Sequence, residues 1–185
     1  MARLYLVRHG EPAGTWGQSD DPDPGLTELG RTQAEGAAEQ LLMTPPTLIV
    51  SSPLRRARET AIPLASAMKL EATIVEAVAE IPTPASVAFA QRGDWLRGLM
   101  AGEWGAADVS LRAWRDGIVS YLTGLQEDTA VFSHFVAINV ALGAAIGDDR
   151  VVCFKPSHAS VTVFETKGRA ISLIELGQTA ETSIK

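Results

Sequence analysis

Short apolar runs alternate along this chain with longer stretches whose apolar residues recur at helical spacing, the pattern of an α/β domain with a largely parallel sheet. Leu4-Tyr5-Leu6-Val7 has no charged position and predicts a central strand covered on both faces. Leu48-Ile49-Val50, Ala72 to Val78 and Ala130-Val131-Phe132 predict three more. Ser160 to Glu165 and Ala170 to Leu176 flank Lys167-Gly168 and predict an antiparallel hairpin. Thr27 is the expected N-cap of a helix reaching about Met43. Leu29, Gln33, Ala37 and Leu41 share one face of it, and Gly36, Ala37 and Ala38 would allow close approach to a sheet. A second helix is expected from Leu54 to Met68, with Leu54, Ala57, Ala61, Leu64 and Met68 on its apolar face and a kink at Pro63. Leu111 to Leu125 and Val136 to Ala145 predict two further helices. The stretch from Pro82 to Ala107, rich in proline, glycine and tryptophan, follows neither period. The expected fold is one domain over residues 1–185: a three-layer αβα sandwich with a mostly parallel central sheet and a C-terminal antiparallel hairpin.

Composition narrows the class. Of 185 residues, 46% are hydrophobic and 21% charged, as in folded globular chains. No apolar run is long enough to span a bilayer, and Arg3 and Arg8-His9 interrupt the apolar start before an export core could form. Cys153 is the single cysteine; set in Val151-Val152-Cys153-Phe154 it reads as an inert, buried thiol, and a reducing cytoplasm is the expected compartment. A net charge of −6 argues against general nucleic-acid or anionic-membrane binding. A homodimer is compatible with this composition.

The polar residues add the chemistry. Each parallel-type run ends in groups suited to phosphate. Leu4–Val7 leads into Arg8-His9-Gly10-Glu11, Leu48–Val50 into Ser51-Ser52-Pro53-Leu54-Arg55-Arg56, Ala72–Val78 into Glu80, and Ala130–Phe132 into Ser133-His134. Ligands of open α/β sheets bind beyond the carboxyl ends of the strands, so these termini are expected to converge. An imidazole can attack phosphorus and carry the phosphoryl group. Arginine forks match its equatorial oxygens, and a carboxyl group can protonate the leaving oxygen and then activate water. Arg8, His9, Arg56, His134 and Glu80 supply all of these roles without a metal or other cofactor, and three histidines with no ligand spacing make a zinc site unexpected. Arg55 has Glu59 four residues on and reads as a solvated pair, whereas Arg56 has Thr60 there.

At these residues the chain resembles the histidine phosphatase superfamily, also called phosphoglycerate-mutase-like, in its phosphatase branch. Leu6-Val7-Arg8-His9-Gly10-Glu11 is similar to its name motif. Gly25-Leu26-Thr27-Glu28-Leu29-Gly30-Arg31-Thr32-Gln33-Ala34 is similar to the loop and helix that follow, Ser52-Pro53-Leu54-Arg55-Arg56-Ala57-Arg58-Glu59-Thr60-Ala61 to the arginine motif, and Ser133-His134 to the second histidine. The resemblance implies that His9 is the phosphoacceptor and that Arg8, Arg56 and His134 complete a phosphate pocket. It also implies that Glu80 is the acid, with Glu11 as the alternative. Phe135 stands where members often have glycine, and Ile81-Pro82-Thr83-Pro84 departs from the usual glycine-containing pattern; Phe135 and His158 are therefore candidate pocket walls. Trp16, Trp95, Trp104, Phe89 and Met100 read as core or lid packing.

The function this implies is metal-independent hydrolysis of a small phosphorylated substrate. The alternatives are a phosphatase acting on protein phosphohistidine or other phosphoresidues, a phosphoglycerate-type mutase, and a non-catalytic phosphate-ligand sensor.

Overall fold

A computed structural model of the chain describes residues 1–14 and 21–180, with every side chain among them except that of Phe89. The strands among these residues are β1 (Ala2–Arg8), β2 (Leu48–Ser51), β3 (Thr73–Ile74), β4 (Thr129–Ser133), β5 (Val161–Lys167) and β6 (Ala170–Glu175). They form one sheet in the order β3-β2-β4-β1-β5-β6. The first four in that order are parallel, and β5 runs antiparallel to both β1 and β6. The β5–β6 turn carries Gly168 at φ +60°, a left-handed backbone that glycine adopts without a steric penalty.

The polar-free run of β1 is explained by its two faces. Leu4 and Leu6 join one core and Tyr5 and Val7 the other. Helices α1 (Glu28–Leu42) and α2 (Arg55–Met68) cover the Tyr5 side through Ala37, Ala38, Leu41, Ala61 and Leu64. Helices α4 (Val109–Gly124) and α5 (Phe135–Ile146) cover the Leu4 side through Leu111, Ile118, Leu122, Val136, Ile138 and Val140. The result is the expected three-layer sandwich. Thr27 caps α1 as its sequence predicts, its Oγ1 accepting from the Gly30 N–H at 2.9 Å, an interaction that contributes about 1 kcal/mol. No described helix is long and apolar enough to cross a membrane.

Two expectations need correction. Leu29 is 54% exposed, and Gly36 is exposed with nothing near its missing side chain; the buried face of α1 is Gly30, Ala34, Ala37, Ala38 and Leu41. Backbone contact sets this rotation. A Cβ on Gly30 would lie 2.3 Å from the Glu11 carbonyl oxygen, and one on Gly10 would lie 2.4 Å from that of Gly30, so glycine must face the loop after β1 and Leu29 turns to solvent. The Ala72–Val78 run is a strand only at Thr73–Ile74 and then becomes a 3₁₀ turn over Glu76–Val78. The Val78 carbonyl accepts from Ser133 Oγ at 2.7 Å, which takes the chain off the sheet edge. Helix α2 runs continuously through Pro63.

The segment that follows neither period consists of 3₁₀ turns at Phe89–Gln91 and Trp104–Ala106 around α3 (Arg92–Met100). Trp104 is buried, and Trp95 and Met100 pack against the α4–α5 core. Trp16 and the Phe89 side chain lie outside the described residues. Cys153 is half-buried rather than buried, and burial pushes its thiol pKa up.

Candidate active site

Strand register brings the predicted residues together. Arg8 pairs with Ser133 across adjacent parallel strands β1 and β4, and Ser51 pairs with Phe132 across β2 and β4. His9 and His134, each one residue past its strand, therefore emerge side by side with ring centroids 5.2 Å apart. The ladder continues beyond the strands, His9 N–H donating to the Ser133 carbonyl at 3.0 Å and Ser52 N–H to that of Phe132 at 2.9 Å. Arg56 enters from the first turn of α2, and its Nε–H donates to His9 Nε2 at 3.3 Å. The 3₁₀ turn delivers Glu80, whose Oε2 lies 3.7 Å from Arg56 Nη2 and 3.6 Å from His134 Nδ1.

The state of His9 follows from its two partners. A carbonyl only accepts, so the 2.8 Å contact with the Gly10 oxygen makes Nδ1 the protonated nitrogen. Nε2 then carries the lone pair and accepts from Arg56. Burial, and next the Arg56 charge, hold the His9 pKa well below its ordinary value. Burial acts the same way on His134, reinforced by His9, Arg56 and Arg8. Burial raises Glu80, against the pull of Arg56, the Ile81 N–H and two more arginines, Arg92 and Arg8. Two neutral imidazoles and an acid that retains its proton above the usual carboxyl range thus share one pocket.

Arg8 lies on the far side. Its Nη1 donates to the Pro156 carbonyl at 2.8 Å, its guanidinium stacks over the Phe135 ring at 5.3 Å, and its pKa is lowered to about 10, chiefly by burial. Phe135 and His158 are both brought to the pocket, the His158 ring 5.9 Å from that of His9, with its pKa lowered to about 4 by burial first and Arg8 second. Glu11 is engaged at the start of α1, its Oε2 accepting from Thr27 Oγ1 at 2.7 Å, while its charge still acts on His158. Arg55 pairs with Glu59 at 2.7 Å on the surface, as the sequence predicts. Among the described residues, no three His, Cys, Asp or Glu side chains cluster as a metal site requires.

Sequence reasoning missed the residues that hold this arrangement. Thr60 Oγ1 accepts from the Gly10 N–H and donates to the Arg56 carbonyl, tying the His9 loop to α2. Ser52 Oγ lies 2.7 Å from His134 Nε2. Asp23 accepts the Arg55 N–H and lies 3.9 Å from Arg56 Nη1. Asn139 Oδ1 accepts the N–H groups of Cys153 and Phe154, fixing to α5 the loop that carries Pro156 and His158. Arg92, beginning α3, donates to the Ile81 carbonyl at 3.4 Å. Only the serine and threonine, lying inside the arginine motif, left any sequence signal.

Residues 4–85 match the histidine phosphatase superfamily (branch 1). That segment of the chain is similar to this superfamily. The match spans Arg8, His9, Glu11, Arg56 and Glu80, and the fold brings His134 beside them. The chain is similar to a glucosyl-3-phosphoglycerate phosphatase of Mycolicibacterium vanbaalenii, 38% identical over 119 residues that make up 63% of this chain and 48% of that protein. It is also 39% identical to phosphoserine phosphatase 1 of Hydrogenobacter thermophilus over 85 residues, 44% of this chain and 39% of that one. The matched stretches thus cover less than half the length of either relative. The native structure of a mycobacterial glucosyl-3-phosphoglycerate phosphatase superposes with a TM-score of 0.73 at 25% identity, covering 97% of this chain and all of that one (100%). Histidine phosphatases of this branch therefore share both the opening motifs and the whole sandwich with this chain.

Proposed function

We propose that this chain is a metal-independent phosphatase that hydrolyses the phosphomonoester of a small molecule through a phosphohistidine at His9. The observation that carries the reading is the state of His9: Nδ1 is tied to the Gly10 carbonyl, and an unprotonated Nε2 faces Arg56. A substrate phosphate would displace that contact and take Arg56 as its own donor. Arg8 Nε and His134 Nδ1 are buried without hydrogen-bond partners among the described residues, a state that a bound anion would relieve.

In the first step the Nε2 lone pair attacks phosphorus in line, the P–O ester bond breaks, and Glu80 gives its proton to the departing oxygen. Arg8, Arg56 and His134 stabilise the charge spread over the equatorial oxygens. In the second step Glu80, now a carboxylate, takes a proton from water as the water attacks phosphorus. The P–N bond breaks, its electron pair returns to Nε2, and phosphate leaves. Glu80 lies close to Arg56 and His134, whereas Glu11 is engaged at the α1 cap, which favours Glu80 as the acid. The relatives named above make phosphoserine and glucosyl-3-phosphoglycerate the first substrates to screen. We read residues 1–185 as one domain and the compartment as cytoplasmic, the latter in keeping with the lone cysteine.

The test is phosphate release from p-nitrophenyl phosphate in EDTA, for the wild type and His9→Ala. Turnover lost in the variant supports the mechanism, and turnover retained refutes it. No release from either protein would favour a phosphate-ligand sensor.

A further inference from the structure

The second histidine is held as tightly as the first, and its partner has a single proton to give. His134 is fully buried, with Nε2 2.7 Å from Ser52 Oγ. Its Nδ1 faces Glu80 Oε2 at 3.6 Å and has no hydrogen-bond partner among the described residues. Ser52 is also fully buried, at the end of β2, and its Oγ accepts the Leu54 N–H at 3.2 Å. A hydroxyl has one proton and two lone pairs. With one lone pair engaged by Leu54, the other recorded partner of the hydroxyl among the described residues is His134 Nε2, which accepts the Ser52 proton in one tautomer and donates to the second lone pair in the other.

We infer that Ser52 is a positioning residue that holds His134 as its Nδ1–H tautomer, so that the second histidine presents a neutral N–H donor to Glu80 and the phosphoryl oxygens. The part of this concerning the phosphoryl group rests on the function proposed above. In a neutral imidazole one nitrogen donates and the other accepts, and the partner of one decides the other. The opposite tautomer would aim the Nδ1 lone pair at an incoming anion and would leave the Ser52 proton without a recorded acceptor among the described residues. His9 is held in the same tautomeric form by a different device, the Gly10 carbonyl on Nδ1. The two rings then take opposite roles: His9 offers its lone pair to phosphorus, and His134 offers a proton to the oxygens.

The chain has three histidines, so two-bond ¹H–¹⁵N correlation spectra of imidazole-labelled protein, assigned with His9→Gln and His158→Gln, read the tautomer of His134 directly. The expected result is Nδ1–H in the wild type, mixed tautomers in Ser52→Ala, and Nδ1–H restored in Ser52→Thr. Kinetically, Ser52→Ala should lower kcat by roughly 10–100-fold, the scale of losing a group that orients a functional histidine, and Ser52→Thr should recover most of it. An Nε2–H tautomer in the wild type overturns the inference. So does a Ser52→Ala protein that keeps both pure Nδ1–H and full kcat. If Ser52→Ala does not fold, the wild-type and Ser52→Thr spectra still decide, since both must show Nδ1–H. A wild type with the Nδ1–H form and no phosphatase turnover would defeat the proposed function alone; turnover with the opposite tautomer would defeat this inference alone.

Discussion

The pocket has two unlike sides. One is a wall of strand ends, residues 8–11, 51–60 and 133–134, in which backbone and ring groups bond to other strand ends and to α2. His9 N–H continues the ladder to Ser133, Gly10 N–H is held by Thr60, and His134 is held by Ser52. The other is the segment that follows Glu80, residues 81–107, which we call the cover: it sets Arg92 near Glu80, is built from 3₁₀ turns and the short α3, and is anchored by packing of Leu96, Trp95, Met100 and Trp104. The wall inherits its geometry from parallel register, which fixes atoms to within a hydrogen bond. The cover is placed by apolar contact, which is tolerant of shape. Chemistry belongs on the first kind of surface and substrate choice on the second.

That contrast can be broken or sharpened by substitution. His9→Ala should remove turnover below detection while the protein stays folded, because the ring bonds to its own loop rather than bracing the core. Arg56→Lys should reduce kcat by roughly 100–1000-fold, the scale of losing one transition-state donor, because lysine has no planar fork to reach phosphate and Glu80 together. Phosphate release and circular dichroism on the same samples would check both; a well-folded, fully active Arg56→Lys would mean that the wall is less demanding than its hydrogen bonds imply.

Glu80→Gln should slow poor alcohol leaving groups by roughly 100-fold and p-nitrophenyl phosphate far less. The pH profile follows from the same residues. His9 is depressed, so its lone pair survives acidification to well below the ordinary histidine pKa. Glu80 is raised, so its proton persists above the ordinary carboxyl range and is lost as pH rises. kcat/KM for a poor leaving group should therefore be highest on the acid side of neutrality and fall toward alkaline pH, and Glu80→Gln should erase that alkaline fall. A profile unchanged by the substitution would move the acid role elsewhere.

Gly30→Ala tests the backbone contact beneath the wall. Its Cβ would sit 2.3 Å from the Glu11 carbonyl oxygen, and forcing the two chains apart should cost about 1–3 kcal/mol in denaturant unfolding. The smallest effect belongs to the cover. Thr83 Oγ1 is buried without a partner among the described residues, so Thr83→Val should leave stability within about 1 kcal/mol of the wild type. A large rise in KM for that variant would show the hydroxyl touching substrate and draw the cover into recognition.

Much of the wall is legible in the sequence because its signals are local. An apolar run followed by Arg-His-Gly, or by Ser-His, marks a strand and the group at its end whatever the rest of the chain does. Arg55 and Arg56 separate on the same grounds, one having an acid a helical turn away and the other not. The cover is illegible because its residues obey no period: Trp104 is buried and Trp95 half-buried only because α4 and α5 lie beneath them. Leu29 fails for a related reason. Helical spacing says which residues share a face, but contact of Gly30 with the loop after β1 decides which face turns inward. The Ala72–Val78 run ends early because Ser133, 55 residues further along the chain, captures the Val78 carbonyl.

By itself, then, the sequence determined the layers, the strand that carries each functional group, and the types of those groups, since these depend on local periodicity and on residue chemistry. Tertiary structure decided what each group is in place: that His9 has its lone pair on Nε2, that burial holds Glu80 toward its protonated form, and that Ser52 faces His134. Those properties depend on burial and on partners from other strands, which come within reach only when the register of β2, β4 and β1 sets their ends at the same level.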